Sequence, residues 1–415
     1  MKWEERQLLY CLKAYRIGER TAQTENAPLL EQWQDLYELA RAHKLIPVVF
    51  ETLWNTAGFC GGDQTLFTAW KRDALFQSID QARRTRRLQD VTGALEAAGI
   101  HYAVLKGAVC RQLYFRPDLR PSGDEDLLIS TAAREKSREV LTLCGMTNAS
   151  LQREEDVEHW ADPQTGLHIE LHTRCFSTGW EAEAVLNPYF ETCLNRTVPV
   201  MLEQGAVMTL EPTDNLLFLV AHALKHFITG GFGVRTMSDI LSYCEKYDGQ
   251  IDRTQLWAML EEIHGTVFFQ ALLRLGEEWL GFDTAPWGCD SSEISDECDL
   301  LQDMLEAGIY GQTSMNRKHS GALSLQTAQG EQNRPSLRLA LFPPAEKLQG
   351  RYPILHKAPV LLPAVWVHRM GGYLWELLRD RGKENSPAEA VSLGKKRTEM
   401  MIRYGILPQT KTENR

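Results

Sequence analysis

Long apolar runs, paired cysteines and a surplus of positive charge are all missing from this sequence of 415 residues. No stretch of eighteen or more apolar residues occurs, so we expect no membrane span. The net charge of −10 at pH 7 argues against a broad nucleic-acid-binding face and makes a long nucleic acid a disfavoured partner. A local basic pocket remains compatible with that charge.

The nine cysteines lack the Cys-x-x-Cys spacing of a zinc knuckle. An odd number of cysteines without paired spacing is typical of reduced thiols, most of them buried as small apolar side chains. Four of the first six residues have charged side chains, and this segment contains no apolar signal core. Together these features predict a cytoplasmic protein.

Hydrophobic periodicity divides the chain into four regions, and we see no internal repeat. The first is helical, the second alternates strands with helices, the third is strongly helical, and the last is weakly patterned and ends in a helical tail. The predicted bounds are 1–95, 96–212, 213–283 and 284–415. The second region predicts an α+β core, because its strands alternate with helices and end in an antiparallel hairpin.

Within the core, strands are predicted at 100–105, 124–129 and 167–171, with a hairpin formed by 198–202 and 207–210. A helix should begin at Gly107 and end before Pro117, and Thr131 should cap another over 134–143. The third region predicts helices over 216–227 and 237–247, and two more within 256–280.

The most informative pattern is the pair of acids Asp124 and Asp126 at the start of a predicted strand. Side chains alternate along a strand, so both carboxylates lie on one face, about 7 Å apart. Glu170 lies on a later strand and has His172 on the same face. If the two strands are neighbours, three carboxylates form a cage for Mg²⁺ or Mn²⁺, since these ions prefer oxygen ligands. The alternative is a solvated acidic triplet, because such triplets are common by chance.

Two glycines lie where a phosphate could approach the backbone. Gly107 follows a strand and opens a helix, whose N-terminal N–H groups can bind an anion, and Lys106 could neutralise its charge. Arg120, Ser122 and Gly123 lead into the aspartates. The alternative is a plain strand-to-helix turn with a surface lysine.

His222 and His226 share one helix face, because they are four residues apart. That spacing can bind a transition metal, but no glutamate follows His222, so the zinc-protease pattern is missing. The favoured interpretation is a pair of partly buried histidines that hydrogen-bond to Asp239 or to the backbone. A third possibility is a cleft that contacts nucleotide or acceptor. Its candidate residues are His172, Lys225, His226, Arg235 and Asp239, beside a loop containing Gly230, Gly231 and Gly233.

Taken together, these motifs resemble the nucleotidyltransferase superfamily that includes DNA polymerase β. The nearer resemblance is to its bacterial branch of uncharacterised nucleotidyltransferase family proteins, and it covers about Leu36 to Tyr373. The motifs that carry it are Leu105-Lys106-Gly107, Asp124-Glu125-Asp126-Leu127-Leu128-Ile129, Glu170-Leu171-His172, the helical pair His222 and His226, Asp239-Ile240, and the tail segments Phe342-Pro343 and Arg351-Tyr352-Pro353. The chain departs from the superfamily in having Lys106-Gly107 where Gly-Ser or Gly-Gly is usual, and Glu170 where aspartate is usual.

The resemblance implies a small mixed β-sheet with flanking helices, and helical regions at both ends of the chain. It also implies metal-dependent transfer of a nucleoside monophosphate from a nucleoside triphosphate. Asp124, Asp126 and Glu170 would be the metal ligands, and Glu170 could activate the acceptor. The acceptor, a hydroxyl or phosphate on a small molecule, peptide or protein, is not identified by any motif. The alternative is a catalytically weak scaffold that acts as a nucleotide-binding or partner-binding regulatory protein, such as an antitoxin.

Overall fold

The computed structural model describes residues 1–19, 28–149, 156–176, 185–288, 298–308, 345–348, 352, 354–368 and 387–407. Its contacts divide the chain into two compact units, 1–225 with 233–309, and 226–232 with 310–415. Among the described helices, none is both long enough and apolar enough to cross a membrane.

The core of the first unit is a seven-stranded mixed sheet with the order β3-β4-β5-β2-β1-β7-β6. β2 pairs in parallel with β5, and β1 in parallel with β7, whereas the other pairs are antiparallel. The α+β class and the mixed sheet are therefore confirmed. The strands are β1 Tyr102–Val104, β2 Glu125–Ile129, β3 Thr147–Asn148, β4 Val157–Ala161, β5 His168–His172, β6 Val198–Leu202 and β7 Gly205–Thr209.

Helices flank this sheet in chain order. They are α1 Trp3–Arg16, α2 Leu30–Ala42, α3 Ile46–Leu53, α4 Gln64–Ala97, α5 Ala108–Arg111, α6 Arg134–Leu143, α7 Asn187–Cys193, α8 Pro212–Thr229, α9 Val234–Lys246, α10 Arg253–Glu262, α11 Thr266–Leu275 and α12 Cys298–Ala307. The 34-residue α4 is capped by Asp63, whose side chain accepts a hydrogen bond from the Leu66 N–H. It packs against α3 and α6 and reaches β7, so it spans the helical region and the sheet.

The second unit, by itself, has a small apolar cluster of Leu348, Leu355 and Val365. Its helix Pro387–Arg403 carries Arg397, which is fully buried, donates to the Phe227 carbonyl and lies 5.5 Å from the centre of the Phe227 ring. Residues 289–297 and 309–344, which include much of the predicted weakly patterned segment, lie outside the described residues, as do the tail residues Arg351 and Pro353.

Several predicted elements need correction. The helix after Gly107 has only four residues, because the chain continues from Arg111 in tight turns that carry Tyr114 to Asp239. Thr131 is not the cap: the Ser130 side chain accepts from Ala133 N–H at a short 3₁₀ turn, and α6 begins after it. Asp124 precedes β2 rather than lying within it. Strands β3 and β4 were not predicted, because their short mixed sequences give no clear alternation.

Candidate active site

The parallel pair β2 and β5 brings together acids that are 44 residues apart in sequence, since its register places Asp126 opposite Glu170. β2 is buried along its whole length at the centre of the sheet, which fixes which face each side chain takes. Asp126, Glu170 and His172 each offer one ligand atom, and these atoms lie within 4.8 Å of one another. This cluster is the centre of the candidate site.

Asp126 is almost fully buried, and cationic or imidazole groups contact both of its carboxylate oxygens. Lys106 Nζ lies 3.0 Å from Oδ2, and His172 Nε2 lies 3.2 Å from Oδ1. Burial raises the pKa of Asp126, but the Lys106 ammonium and the His172 hydrogen bond outweigh it and hold that pKa well below its ordinary value. Asp126 is therefore ionised at neutral pH.

His172 on β5 contacts the carboxylates of both strands. Its Nε2 also lies 3.5 Å from Glu170 Oε2. Burial lowers the pKa of His172, but the hydrogen bonds to Asp126 and Glu170 more than compensate and raise it to about 9. The same His172 contact lowers the pKa of Glu170, whose side chain is 28% exposed and is the more accessible of the two carboxylates.

Asp124 lies beside this cluster, half-buried at the entrance to β2. The pKa of Asp124 is raised above its ordinary value. Burial is the main cause, and the neighbouring carboxylates Asp126 and Glu170 add to it, while Lys106 partly opposes the increase. A cation between these acids would relieve their mutual repulsion.

Lys106 has a second partner that sequence reasoning did not place in the site. Its Nζ lies 3.1 Å from His222 Nε2, a contact between residues 116 positions apart. The His222 ring packs 5.4 Å from the Phe218 ring on α8. No local pattern could have revealed this pairing, because it joins the end of β1 to α8 through the tertiary structure. Asp239, which the sequence suggested as a partner for the histidines, is bound by Arg120 and Tyr114, and its pairing with the histidines stays a prediction.

Glu125, on the opposite face of β2 from Asp126, packs against the turn at Gly107. Glu125 is buried, accepts from the Ala108 N–H at 2.8 Å and pairs with the buried Arg111. Gly107 has φ +40°, and a Cβ at this position would lie 2.0 Å from Glu125 Oε2. Only glycine fits there, and a protein carboxylate already accepts the first N–H of α5. The role of Gly107 and Lys106 in binding phosphate stays a prediction.

Arg120 is buried rather than exposed to the cleft. Its guanidinium pairs with Asp239 at 2.6 Å and donates to Ser122 Oγ at 3.0 Å. Arg235 is also buried and donates to the Pro121 carbonyl at 2.6 Å. These contacts fasten the loop before Asp124 to α9, so the residues hold the loop in place.

The remaining predicted residues are Gly123, Lys225 and His226. Gly123 is half-buried in the turn after Ser122. Lys225 and His226 lie on α8 and are both half-buried. Their predicted roles in a cleft, and those of Arg120, Ser122 and Gly123 in nucleotide binding, stay predictions.

The donor set suits a hard divalent cation. In the cluster Asp126 and Glu170 offer carboxylate oxygens and His172 offers nitrogen, and Asp124 is not among the three residues that the structure brings within ligand distance of one another. Oxygen-rich sets of this kind favour Mg²⁺ or Mn²⁺ over zinc. Lys106 and His172 at present offset the carboxylate charge, so a bound cation would share Asp126 with them or displace one of them.

Comparison with known proteins gives one match. A family model described as "Uncharacterised nucleotidyltransferase" matches residues 30–281, a span that contains every residue of the site described above. No curated protein and no solved structure matches the chain.

Proposed function

The chain belongs to the uncharacterised nucleotidyltransferase family, and from this premise we propose that it transfers a nucleoside monophosphate from a nucleoside triphosphate to a hydroxyl or phosphate of an acceptor. The products would be the modified acceptor and pyrophosphate. The observation that carries the proposal is the register of β2 against β5, which places Asp126 beside Glu170 on one face of the sheet.

Asp124, Asp126 and Glu170 would hold divalent metal, Mg²⁺ or Mn²⁺, through their carboxylate oxygens. Such an ion, when bound, polarises the transferred phosphoryl group and offsets the charge that develops on its oxygens. Asp126 is suited to the role of ligand because it is buried, ionised and fixed in the centre of the sheet.

Lys106 and Glu170 would bind the donor phosphate and activate the acceptor. Lys106, with its ammonium 3.0 Å from Asp126, is placed to bind a phosphate of the donor. Glu170 is ionised and partly exposed, so it can take the proton of an acceptor hydroxyl that approaches from solvent. Loss of that proton makes the acceptor oxygen a stronger nucleophile toward the α-phosphorus.

A second candidate function is supported by a specific observation. Lys106 and His172 already contact both oxygens of Asp126, so much of the charge of the cluster is balanced without a cation. A scaffold that binds nucleotide or a protein partner without turnover would have the same arrangement. The two candidates differ in turnover, because only the enzyme releases pyrophosphate, and a scaffold that binds a protein partner alone is not stabilised by a triphosphate.

Thermal unfolding with ATP, CTP, GTP or UTP, each with Mg²⁺, with Mn²⁺ or with a chelator, tests the proposal. We expect at least one triphosphate to raise Tm in a metal-dependent way. The double variant Asp124→Asn/Asp126→Asn should lose that rise, whereas Glu203→Gln, an exposed acid in the β6–β7 turn, should keep it. Pyrophosphate release with candidate acceptors then identifies turnover. No rise with any nucleotide would favour the scaffold.

A further inference from the structure

Lys106 donates a hydrogen bond to His222, whereas its contact with Asp126 is an ion pair. The Lys106 Nζ lies 3.1 Å from His222 Nε2 in a hydrogen bond. The same Nζ lies 3.0 Å from Asp126 Oδ2, yet that buried oxygen accepts no hydrogen bond from any residue that the structure describes. Charge therefore attracts Lys106 to Asp126, while an N–H of its ammonium is directed to His222.

The chemistry of the two groups fixes which one donates. An ammonium has three N–H donors and no acceptor, so His222 Nε2 must accept the hydrogen bond from Lys106. The imidazole is then neutral and has its proton on Nδ1. A neutral acceptor holds the ammonium without cancelling its charge, so Lys106 keeps the full positive charge that attracts a phosphate.

The imidazole of His222 is held against a packed aromatic cluster. Its ring centre lies 5.4 Å from that of Phe218, one turn earlier on α8. Phe218 is buried and packs against Phe176 and Phe190, at 5.9 and 6.2 Å between ring centres. Because close-packed rings have few alternative positions, His222 offers Nε2 from a fixed place.

The backbone of Lys106 is also fixed, but its side chain is long. The Lys106 carbonyl accepts from the Val109 N–H at 2.8 Å, and the preceding Leu105 N–H donates to the Asp126 carbonyl at 2.9 Å. The flexible stem of lysine ends in a compact charge with freely rotating donors. The direction of the ammonium is therefore decided by its partners, and His222 competes with the carboxylate of Asp126 for it.

That competition matters because a metal ligand needs an open oxygen. Mg²⁺ binds oxygen at about 2.0–2.1 Å, so an ion on Asp126 Oδ2 would repel an ammonium that is hydrogen-bonded to the same atom. The hydrogen bond to His222 reduces this conflict, since it leaves Oδ2 without a hydrogen-bond donor among the described residues.

We propose that His222 is a positioning residue, which directs Lys106 away from Asp126 Oδ2 so that the oxygen can bind metal and the ammonium can bind a phosphate of the donor. The assignment rests on the proposed function, because it presumes a phosphate ligand beside the carboxylates. It gives α8, which lies outside the sheet, a direct part in ordering the site.

Substitution of His222 tests this role. We expect His222→Phe to weaken binding of MgATP and of magnesium tripolyphosphate by about tenfold, the effect of losing one hydrogen bond to a charged group. His222→Asn, whose amide is too short to reach Lys106, should weaken binding similarly. His222→Gln retains an acceptor near the position of Nε2 and should keep most of the affinity. Isothermal titration calorimetry measures binding, and thermal unfolding shows that each variant folds.

A double-mutant cycle separates positioning from packing. Lys106→Met should weaken tripolyphosphate binding by about tenfold to hundredfold. Adding His222→Phe to that variant should change the affinity by less than about twofold, because no ammonium is left to position. A histidine that only supports packing would weaken binding by the same factor in both backgrounds, and that result would overturn the assignment.

Mn²⁺ binding without phosphate should respond with opposite signs. Lys106→Met should raise the Mn²⁺ affinity several-fold, because it removes a competing cation from Asp126. His222→Phe should lower that affinity, because the released ammonium then binds Oδ2. The combined variant should bind Mn²⁺ as tightly as Lys106→Met, and electron paramagnetic resonance of free Mn²⁺ measures all three. A loss of Mn²⁺ affinity on His222→Phe in the Lys106→Met background would contradict the proposal.

The control is His101→Phe, the same exchange at an exposed histidine just before β1, which should leave all affinities unchanged. If wild type binds MgATP but His222→Phe and His222→Asn bind it and tripolyphosphate equally well, the positioning role is wrong and the proposed function stands. If wild type binds tripolyphosphate but no nucleoside triphosphate, and the His222 variants lose that binding only when Lys106 is present, the positioning role stands and the donor assignment is wrong. If wild type binds neither ligand, both are overturned.

Discussion

Glu125 and Asp126 are neighbours on β2 with similar burial, 2% and 1% exposed, yet their surroundings give them different roles. Glu125 faces Arg111 and the Ala108 N–H, so its carboxylate is fully paired with groups of the protein itself. Asp126 faces Lys106, His172 and the partly exposed Glu170. The comparison teaches that burial alone does not distinguish an acid paired within the fold from a candidate metal ligand. What distinguishes Asp126 is a set of partners that a bound ion could share.

The largest expected effect falls on Asp126. Asp126→Asn keeps the shape of the side chain but removes the charge that would hold the metal, and metal stabilisation of a transition state amounts to several kcal/mol. We expect nucleotidyl transfer to fall on the order of 10³-fold to 10⁴-fold. Steady-state pyrophosphate release measures it, with circular dichroism to show that the fold persists and Glu203→Gln as the control. Activity near that of wild type would remove Asp126 from the catalytic assignment.

The next largest effect is expected for Glu125, whose substitution should lower the free energy of unfolding. Glu125→Ala leaves Arg111 buried without its carboxylate, and breaking a buried pair in this way costs about 3–5 kcal/mol. Urea unfolding should show that loss, whereas Glu203→Ala should change the free energy of unfolding by less than about 0.5 kcal/mol. Replacing both partners, as Arg111→Met/Glu125→Leu, should cost less than Glu125→Ala alone. If Glu125→Ala lowered the free energy of unfolding no more than Glu203→Ala does, Glu125 would not be the structural partner that this comparison assumes.

The smallest expected effect concerns His43, a buried histidine that the fold keeps neutral. Burial lowers the pKa of His43 to about 4 from its ordinary 6.5, only partly opposed by the Leu305 carbonyl. The folded state therefore binds fewer protons than the unfolded state, so His43 stabilises the fold above pH 6.5 and this contribution is lost as pH falls toward 4. The full loss is about 3 kcal/mol.

Urea unfolding from pH 8 to pH 4 tests this on wild type and on His43→Gln, which lacks the titrating group. The free energy of unfolding of wild type should fall more steeply across this window than that of the variant. Parallel curves would mean that His43 is already charged, or exposed, in the folded protein.

The elements that the sequence predicted well are those with strong local patterns. The strands around Asp126 and Glu170, the β6–β7 hairpin and helices α8 and α9 all coincide with predicted segments within a few residues. Local pattern failed where tertiary contacts set the conformation. α5 is short because the chain turns to place Tyr114 on Asp239, and Gly107 is required by a carboxylate 18 positions later rather than by a phosphate alone.

The sequence by itself determined the α+β class and the alternation that separates Asp126 from Glu125, and it pointed to Asp124, Asp126 and Glu170 as candidates, because each depends on spacing within a few residues. Only the tertiary structure decided the partners. Lys106 meets His222 across 116 positions, and Arg120 meets Asp239 across 119. It also decided that Lys106 contacts Asp126, since the register of two parallel strands and the packing of helices are set by the whole packed core.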